Sequence, residues 1–384
     1  MNKSLITYFL ITTLSIISTI YLFEAYLTLS EQNSHSLYKK IKKKSVEDNK
    51  NYETRTEKEY FNFLKKNYKN VSISYFPQYF LNTNLNLRPL SGIANSLTLN
   101  CNENGYYSTY ESDRFGFNNP DSQWEKKKWE YLLIGDSFTQ GNCVNRPDDI
   151  ASVLRKLSNK NVLNLGYAAN GPLLEFATLR EYLKPNTNKI LWLFYEGNDL
   201  LDFNLELKDE ILIKYLLDET FTQNLTNRQV EINELVKNRI YSTLNYRNEL
   251  LKKNKIKYKI LRFIRLDKTK KIFKNRKKDL KKKKFIELIK KANNLASSNN
   301  SKLYFVYLPE YNRYRNNIIF KNNDYRDYEF IKNSIKEIGI PFIDIHEYVF
   351  KDNDPKSFFP FRLSAHYNEQ GYKKISKYIF QFTN

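Results

Sequence analysis

Tyr131-Leu132-Leu133-Ile134-Gly135-Asp136-Ser137-Phe138-Thr139-Gln140-Gly141 is the stretch whose reading decides the architecture. Its first four residues form a short apolar run, as in a strand buried on both faces, and Gly-Asp-Ser then turns the chain sharply. Four further runs follow at Val162–Leu165, Ile190–Tyr195, Leu303–Leu308 and Phe342–Ile345. Between them lie amphipathic stretches with helix signals. Asp148 or Asp149 can cap a helix running to about Leu157, and Pro172 suits the first turn of another that must stop before Pro185. This alternation predicts a parallel sheet covered on both faces, with functional side chains in loops at the carboxyl ends of the strands. Ser137 stands at the first of those exits.

A serine nucleophile needs a base and donors for the oxyanion that forms on attack. The chain has three histidines, His35, His346 and His366. His366 lies in Leu363-Ser364-Ala365-His366-Tyr367-Asn368-Glu369-Gln370-Gly371-Tyr372, just before a helix start, and is the preferred base. His346 follows a strand and competes with it, whereas His35 is close to the amino-terminal apolar segment. His346 or His366 can instead be a hydrogen-bonded core residue. Tyr195-Glu196-Gly197-Asn198-Asp199-Leu200 follows the third run, where the Asn198 amide can donate and Gly197 permits the tight turn. Leu165-Gly166-Tyr167-Ala168-Ala169-Asn170-Gly171-Pro172, after the second run, offers backbone amides for the same anion. A serine early, a histidine late and donors between them is one chain order for a serine hydrolase.

Together these motifs resemble the SGNH/GDSL hydrolase superfamily, whose four blocks contribute serine, glycine, asparagine and histidine. Gly135-Asp136-Ser137 matches the first block. Asn198-Asp199 matches the asparagine block, with Glu196 where a glycine usually stands. Register with Asn164-Leu165-Gly166 places the second block's glycine on Ala169, whose backbone amide can do the same work, with Gly171 as the alternative. The last block normally carries an aspartate shortly before the histidine, but Leu363 and Ser364 occupy those places. The third triad member is therefore unassigned, with Asp344, Asp352, Asp354 or a backbone carbonyl as candidates. The resemblance spans about 131–204 and 300–380. It implies a flavodoxin-like three-layer α/β/α fold with a parallel sheet, Ser137 as nucleophile and His366 as base. The amides of Ser137 and Ala169 and the Asn198 side chain would form the oxyanion hole. No cofactor or metal is expected, because three scattered histidines and two distant cysteines give no ligand spacing and no Walker-type loop is present.

Leu5 to Phe23 contains no charged residue. About 20 apolar residues cross a bilayer core of roughly 30 Å, so the segment is just long enough. It exceeds the apolar region of a typical signal peptide, and no clean small-x-small cleavage site precedes Glu24-Ala25-Tyr26. Lys3 precedes it and Glu24 and Glu31 follow, which puts the amino terminus in the cytoplasm and the rest outside; the lysines at 39–44 pull the other way. The expectation is a single-pass protein of the inner membrane with its catalytic domain on the periplasmic, extracytoplasmic side, and nucleic acid is set aside as a partner. In an oxidising compartment Cys101 and Cys143 would form a disulfide between the segment before the first strand and the loop after Ser137. Two unrelated buried thiols are the alternative.

The expected organisation is an anchor over 1–30, a polar stalk and lead-in segment over 31–126 with a helix around Glu57–Tyr68, and a hydrolase-like domain over 127–384. That domain carries a helical insertion at about 205–295. The insertion is very basic, from Lys252-Lys253-Asn254-Lys255 to Lys281-Lys282-Lys283-Lys284, with Ile260, Leu261, Phe263, Ile264, Ile272 and Phe273 interleaved. It reads either as a solvated cap or as a helix for a membrane surface or polyanion. Of 384 residues 41% are hydrophobic and 15% aromatic, which excludes a disordered chain. The net charge of +21 combines a lysine-rich bias with room for an anionic neighbour such as lipid headgroups or an acidic glycan. The function expected is a membrane-anchored esterase that removes O-acyl groups, O-acetyl above all, from a cell-envelope glycan. The same site suits an O-acyltransferase, and a degenerate scaffold suits a glycan-binding or assembly protein. The partners are thus an acylated glycan or small ester and the membrane; oligomeric state is not legible.

Overall fold

The computed structural model describes residues 3–48, 51–252, 255–273, 278–314 and 325–384. They form two compact units, Met1–Lys50 with Thr243–Lys282, and Asn51–Ser242 with Lys283–Asn384.

The larger unit carries two sheets. Strands β1 (Val71–Ile73), β2 (Leu97–Leu99) and β3 (Thr109–Glu111) make a small one, with β1 parallel and β3 antiparallel to β2. The main sheet contains β4 (Trp129–Gly135), β5 (Val162–Asn164), β6 (Thr187–Tyr195), β7 (Lys302–Leu308) and β8 (Phe342–Asp344). Its spatial order is β5-β4-β6-β7-β8, every neighbour parallel. Counted within the sheet this is the flavodoxin-like order 2-1-3-4-5, which reverses direction beside the first strand and opens a crevice at its carboxyl end. The five apolar runs correspond to these five strands.

Side-chain alternation explains the three layers. Tyr131, Leu133, Leu191, Leu193, Val306 and Ile343 share one core cluster with Ile150 and Leu154 and with Ile375 and Ile379. Those partners belong to the helices Ile150–Ser158 and Glu369–Thr383. The intervening residues face the other way: Phe194 meets Phe285 at 5.7 Å, and the Trp192 indole donates to Glu175 of the helix Pro172–Tyr182. Leu132, Leu133 and Ile134 are fully buried, and each such side chain contributes about 1.5–3 kcal/mol. Local signals act as expected. The Asp149 carboxylate accepts from Ser152 N–H at 3.0 Å, Pro172 occupies the first turn of its helix, and Asn368 caps the last helix through Gly371 N–H at 2.9 Å.

The organisation differs from the expected one in two places. The segment 72–126, read as lead-in, builds the small sheet and belongs to the same compact unit as the main sheet from Asn51 onward. Its strands are three residues long, too short for alternation to register in the sequence. The helix Glu57–Asn67 is present, started by a Thr56/Glu59 capping box. The basic insertion is also divided, because Thr243–Lys282 groups with the amino-terminal segment.

In the smaller unit the helix Lys3–Asp48 runs unbroken for 46 residues. Its Ser4–Leu29 portion, whose most apolar 18 residues have a mean hydropathy of 1.9, is long and apolar enough to cross a membrane.

Candidate active site

The turn after β4 is built around Gly135. Its φ of +154° is one that L side chains rarely adopt, and a Cβ there would strike Thr139 Oγ1 and lie 2.7 Å from the Leu193 carbonyl oxygen. Asp136 then caps the short helix Ser137–Gln140 by accepting from Phe138 N–H at 2.9 Å. Ser137 thereby begins a helix at the carboxyl end of β4, and among the described residues no hydrogen bond engages its N–H.

His366 comes from the loop before the last helix. Its Nε2 lies 2.9 Å from Ser137 Oγ. Nδ1 lies 3.0 Å from Glu103 Oε2, and the same oxygen accepts from the His366 backbone N–H at 2.6 Å. A carboxylate at Nδ1 fixes the proton there, so Nε2 is free to accept from the serine. The Phe138 ring flanks the site, 4.7 Å from the imidazole and stacked on Tyr195 at 3.8 Å.

Burial is the largest single influence on His366 and opposes its charged form. The Glu103 charge, the Glu103 hydrogen bond and the Asp136 charge together outweigh it, so the imidazole sits above the ordinary histidine range. Asp136 is pushed up to about 6 by burial, against the Phe138 N–H and the neighbouring His366. Glu175 and Asp199, fully buried, lie well above the carboxylate range for the same reason.

The carboxylate at His366 Nδ1 is none of the expected candidates for the unassigned third position. Asp344 is taken by Tyr328 O–H at 2.5 Å, Glu347 N–H at 3.0 Å and the Lys332 ammonium at 3.1 Å. Asp354 pairs with Arg362, and Asp352 is exposed. No backbone carbonyl is needed at Nδ1, because Glu103 is there. It lies in Asn100-Cys101-Asn102-Glu103-Asn104, between β2 and β3, far in sequence from the block that usually supplies this group. One signal pointed to it: a Cys101–Cys143 disulfide would bring Glu103 beside the loop after Ser137.

That disulfide is present. The segment is stitched further by Asn100 Nδ2 to Asn142 Oδ1 and by Asn104 Nδ2 to the Cys143 carbonyl, both at 2.9 Å. Cys143 Sγ lies 3.6 Å from His366 Nδ1. Donor atoms of Cys101, Cys143 and His366 lie within 4.8 Å of one another, but the disulfide consumes both sulfurs and leaves no thiolate to bind a metal. The bridge spans a separation of 42 residues, for which loop-closure entropy gives about 4 kcal/mol. Reduction is therefore expected to lower Tm and any ester turnover that depends on Glu103, read by a melt and an ester assay with and without dithiothreitol. Undiminished activity after complete reduction would separate Glu103 from the bridge.

The remaining expected residues distribute unevenly. Ala169 has a φ of +60°, the left-handed conformation that favours glycine, and among the described residues no hydrogen bond engages its N–H. The preceding Ala168 N–H is held by Gln140 Oε1 at 2.9 Å. Gly171 N–H donates instead to Glu206 at 2.6 Å, which removes it as an oxyanion donor. Asn198 Nδ2 donates to Asp202 Oδ2 at 2.7 Å and also bonds Asp136, so its amide lies beside the serine turn but is shared between carboxylates. Glu196, standing where a glycine is usual, forms a buried ion pair with Arg313 and accepts from Tyr307 O–H at 2.8 Å, tying β6 to the segment after β7. His346 is elsewhere: its Nδ1 meets Tyr314 O–H at 2.8 Å, and burial and Arg313 lower it to about 4. The His35 side chain lies outside the described residues.

No family model and no curated protein matches the chain. Solved structures similar to it include a protein of Desulfitobacterium hafniense assigned to the G-D-S-L lipolytic family, at 15% identity and TM-score 0.37, covering 65% of this chain and 97% of that one. An acetyl xylan esterase follows at 10% identity and TM-score 0.37, covering 66% and 99%. A protein of Bacteroides fragilis assigned as an acylhydrolase stands at 12% and 0.36, covering 68% and 92%. Scores below 0.5 fix neither family nor activity, so the chemistry has to be read from the side chains.

Proposed function

We propose that this chain is a membrane-anchored serine esterase that removes O-acyl groups, O-acetyl above all, from a cell-envelope glycan. The observation that carries the catalytic part is the continuous relay Ser137 Oγ, His366 Nε2, His366 Nδ1, Glu103 Oε2, with links of 2.9 and 3.0 Å.

In this reading Ser137 Oγ attacks the ester carbonyl carbon while its proton passes to His366 Nε2. Glu103 stays ionised, holds the Nδ1 proton and stabilises the imidazolium. The backbone amides of Ser137 and Ala169 supply the oxyanion donors, and Asn198 joins them if its amide turns from Asp202. One such donor is worth about 10²–10³ in turnover. The tetrahedral adduct collapses as the C–O bond to the alcohol breaks and the imidazolium gives that oxygen its proton. Water, deprotonated by the same Nε2, then attacks the acyl-serine; the C–Oγ bond breaks, the imidazolium returns its proton to Ser137 Oγ, and the carboxylic acid is released.

The anchor rests on Ser4–Leu29, and charge around it favours a catalytic unit outside the cytoplasmic membrane. An envelope glycan is the acylated polymer within reach of such a unit.

The detergent-solubilised full chain is expected to release acetate from O-acetylated envelope polysaccharide, followed by quantifying free acetate. Acetate release from small aryl esters but none from the polysaccharide would reject the glycan assignment. Acylated oligosaccharide appearing when an acceptor sugar is added would make transfer the reaction instead.

A further inference from the structure

The smaller unit contains a contact that links the membrane-spanning candidate to the basic insertion. Glu24 sits inside Ser4–Leu29, the one acidic residue of that segment, and is 1% exposed. Its carboxylate accepts from the N–H groups of Lys268 and Thr269 at 3.1 and 2.7 Å and from Thr269 Oγ1 at 2.7 Å. A lone buried carboxylate in an apolar helix would be costly; here it is satisfied by the first turn of the helix Asp267–Phe273. One turn earlier Tyr21 O–H donates to the Ile264 carbonyl at 3.1 Å, and its ring lies 5.8 Å from Phe263. The insertion is therefore docked on the amino-terminal helix at Tyr21 and Glu24.

The depth of that dock follows from helix geometry. At roughly 1.5 Å per residue Tyr21 and Glu24 lie about 26–30 Å along the helix from Ser4, where a bilayer core of about 30 Å ends. The helix Lys255–Ile264 ends at that level. Its apolar residues Ile260, Phe263 and Ile264 recur at helical spacing. Phe263 is spent on Tyr21, but Ile260 and Ile264 are 53% and 55% exposed, and Leu261 40%. Arg262 and Arg265 beside them are exposed as well. Bare isoleucines flanked by exposed guanidinium groups, held where a spanning helix leaves the hydrocarbon, match the composition of an interfacial helix.

We infer that the 255–273 segment is an in-plane membrane-surface element, which buries Ile260, Leu261 and Ile264 among acyl chains and sets its cations against anionic lipid headgroups. The inference rests on the reading of Ser4–Leu29 as a membrane anchor. It makes this part of the insertion a piece of the anchoring device.

The test uses the full chain reconstituted in vesicles, with an environment-sensitive fluorophore on Ile264→Cys or Ile260→Cys and, separately, on Leu14→Cys. All three positions are exposed, so labelling leaves packing intact. Nitroxide-labelled lipids report burial by quenching, in phosphatidylcholine alone and with phosphatidylglycerol added. Expected are quenching at Leu14 in both, and quenching with a blue shift at Ile260 and Ile264 that grows when phosphatidylglycerol is present. Leu14 quenched with Ile260 and Ile264 unquenched would overturn the inference and leave the anchor standing. Quenching at all three with no dependence on phosphatidylglycerol would overturn the anionic partner. Leu14 unquenched would remove the anchor, and the inference with it.

Discussion

Ser137→Ala is expected to lower kcat for ester hydrolysis by about 10⁴–10⁶ while leaving the fold intact, because the nucleophile itself is gone and only binding and the oxyanion donors remain. Among the described residues its hydroxyl is within hydrogen-bond reach of His366 at 2.9 Å and Asp136 at 3.5 Å, and the substitution removes a single oxygen. His366→Ala is expected to fall about as far, and the double variant no further, since the two groups act as one unit. Additive losses would mean that Ser137 and His366 work in separate steps.

Glu103→Gln carries the second largest effect and a more diagnostic signature. Glutamine keeps the volume but removes the charge, and at Nδ1 it can hold the wrong tautomer; losses of about 10²–10⁴ in kcat follow from replacing this carboxylate in related geometries. The pH profile gives the sign. His366 must be neutral to take the serine proton, so activity falls as pH drops through its pKa. That pKa is raised in the wild type because Glu103, with Asp136, outweighs burial. Removing the Glu103 charge shifts the balance toward burial, and the acidic limb of the variant should move to lower pH even as its plateau falls. An unshifted limb with a reduced plateau would make Glu103 a structural contact of the His366 backbone N–H and nothing more.

How far the site could be foreseen depends on where each residue's signal resides. The five strands are legible because Tyr131–Ile134 and its counterparts are buried on both faces and read as unbroken apolar runs. Gly135-Asp136-Ser137 is legible because the backbone at Gly135 tolerates no side chain. His366 is legible through the helix start at Asn368, which sets the loop before it at the sheet's end. Glu103 is not, since it reaches the imidazole from the loop between β2 and β3 of the accessory sheet, 263 residues upstream. Asp344 illustrates the converse error: it stands near the right histidine block in sequence, but β8 delivers it to Tyr328 and Lys332. The insertion's partition is likewise invisible locally, because only the fold brings Glu24 to Thr269.

Labelling the full chain with a fluorophosphonate, and locating the adduct by mass spectrometry, tests the activated serine most directly. A single adduct on Ser137 is expected in the wild type, lost in His366→Ala and weakened in Glu103→Gln. A wild-type protein that takes up no label, or carries it on another residue, would contradict an activated Ser137.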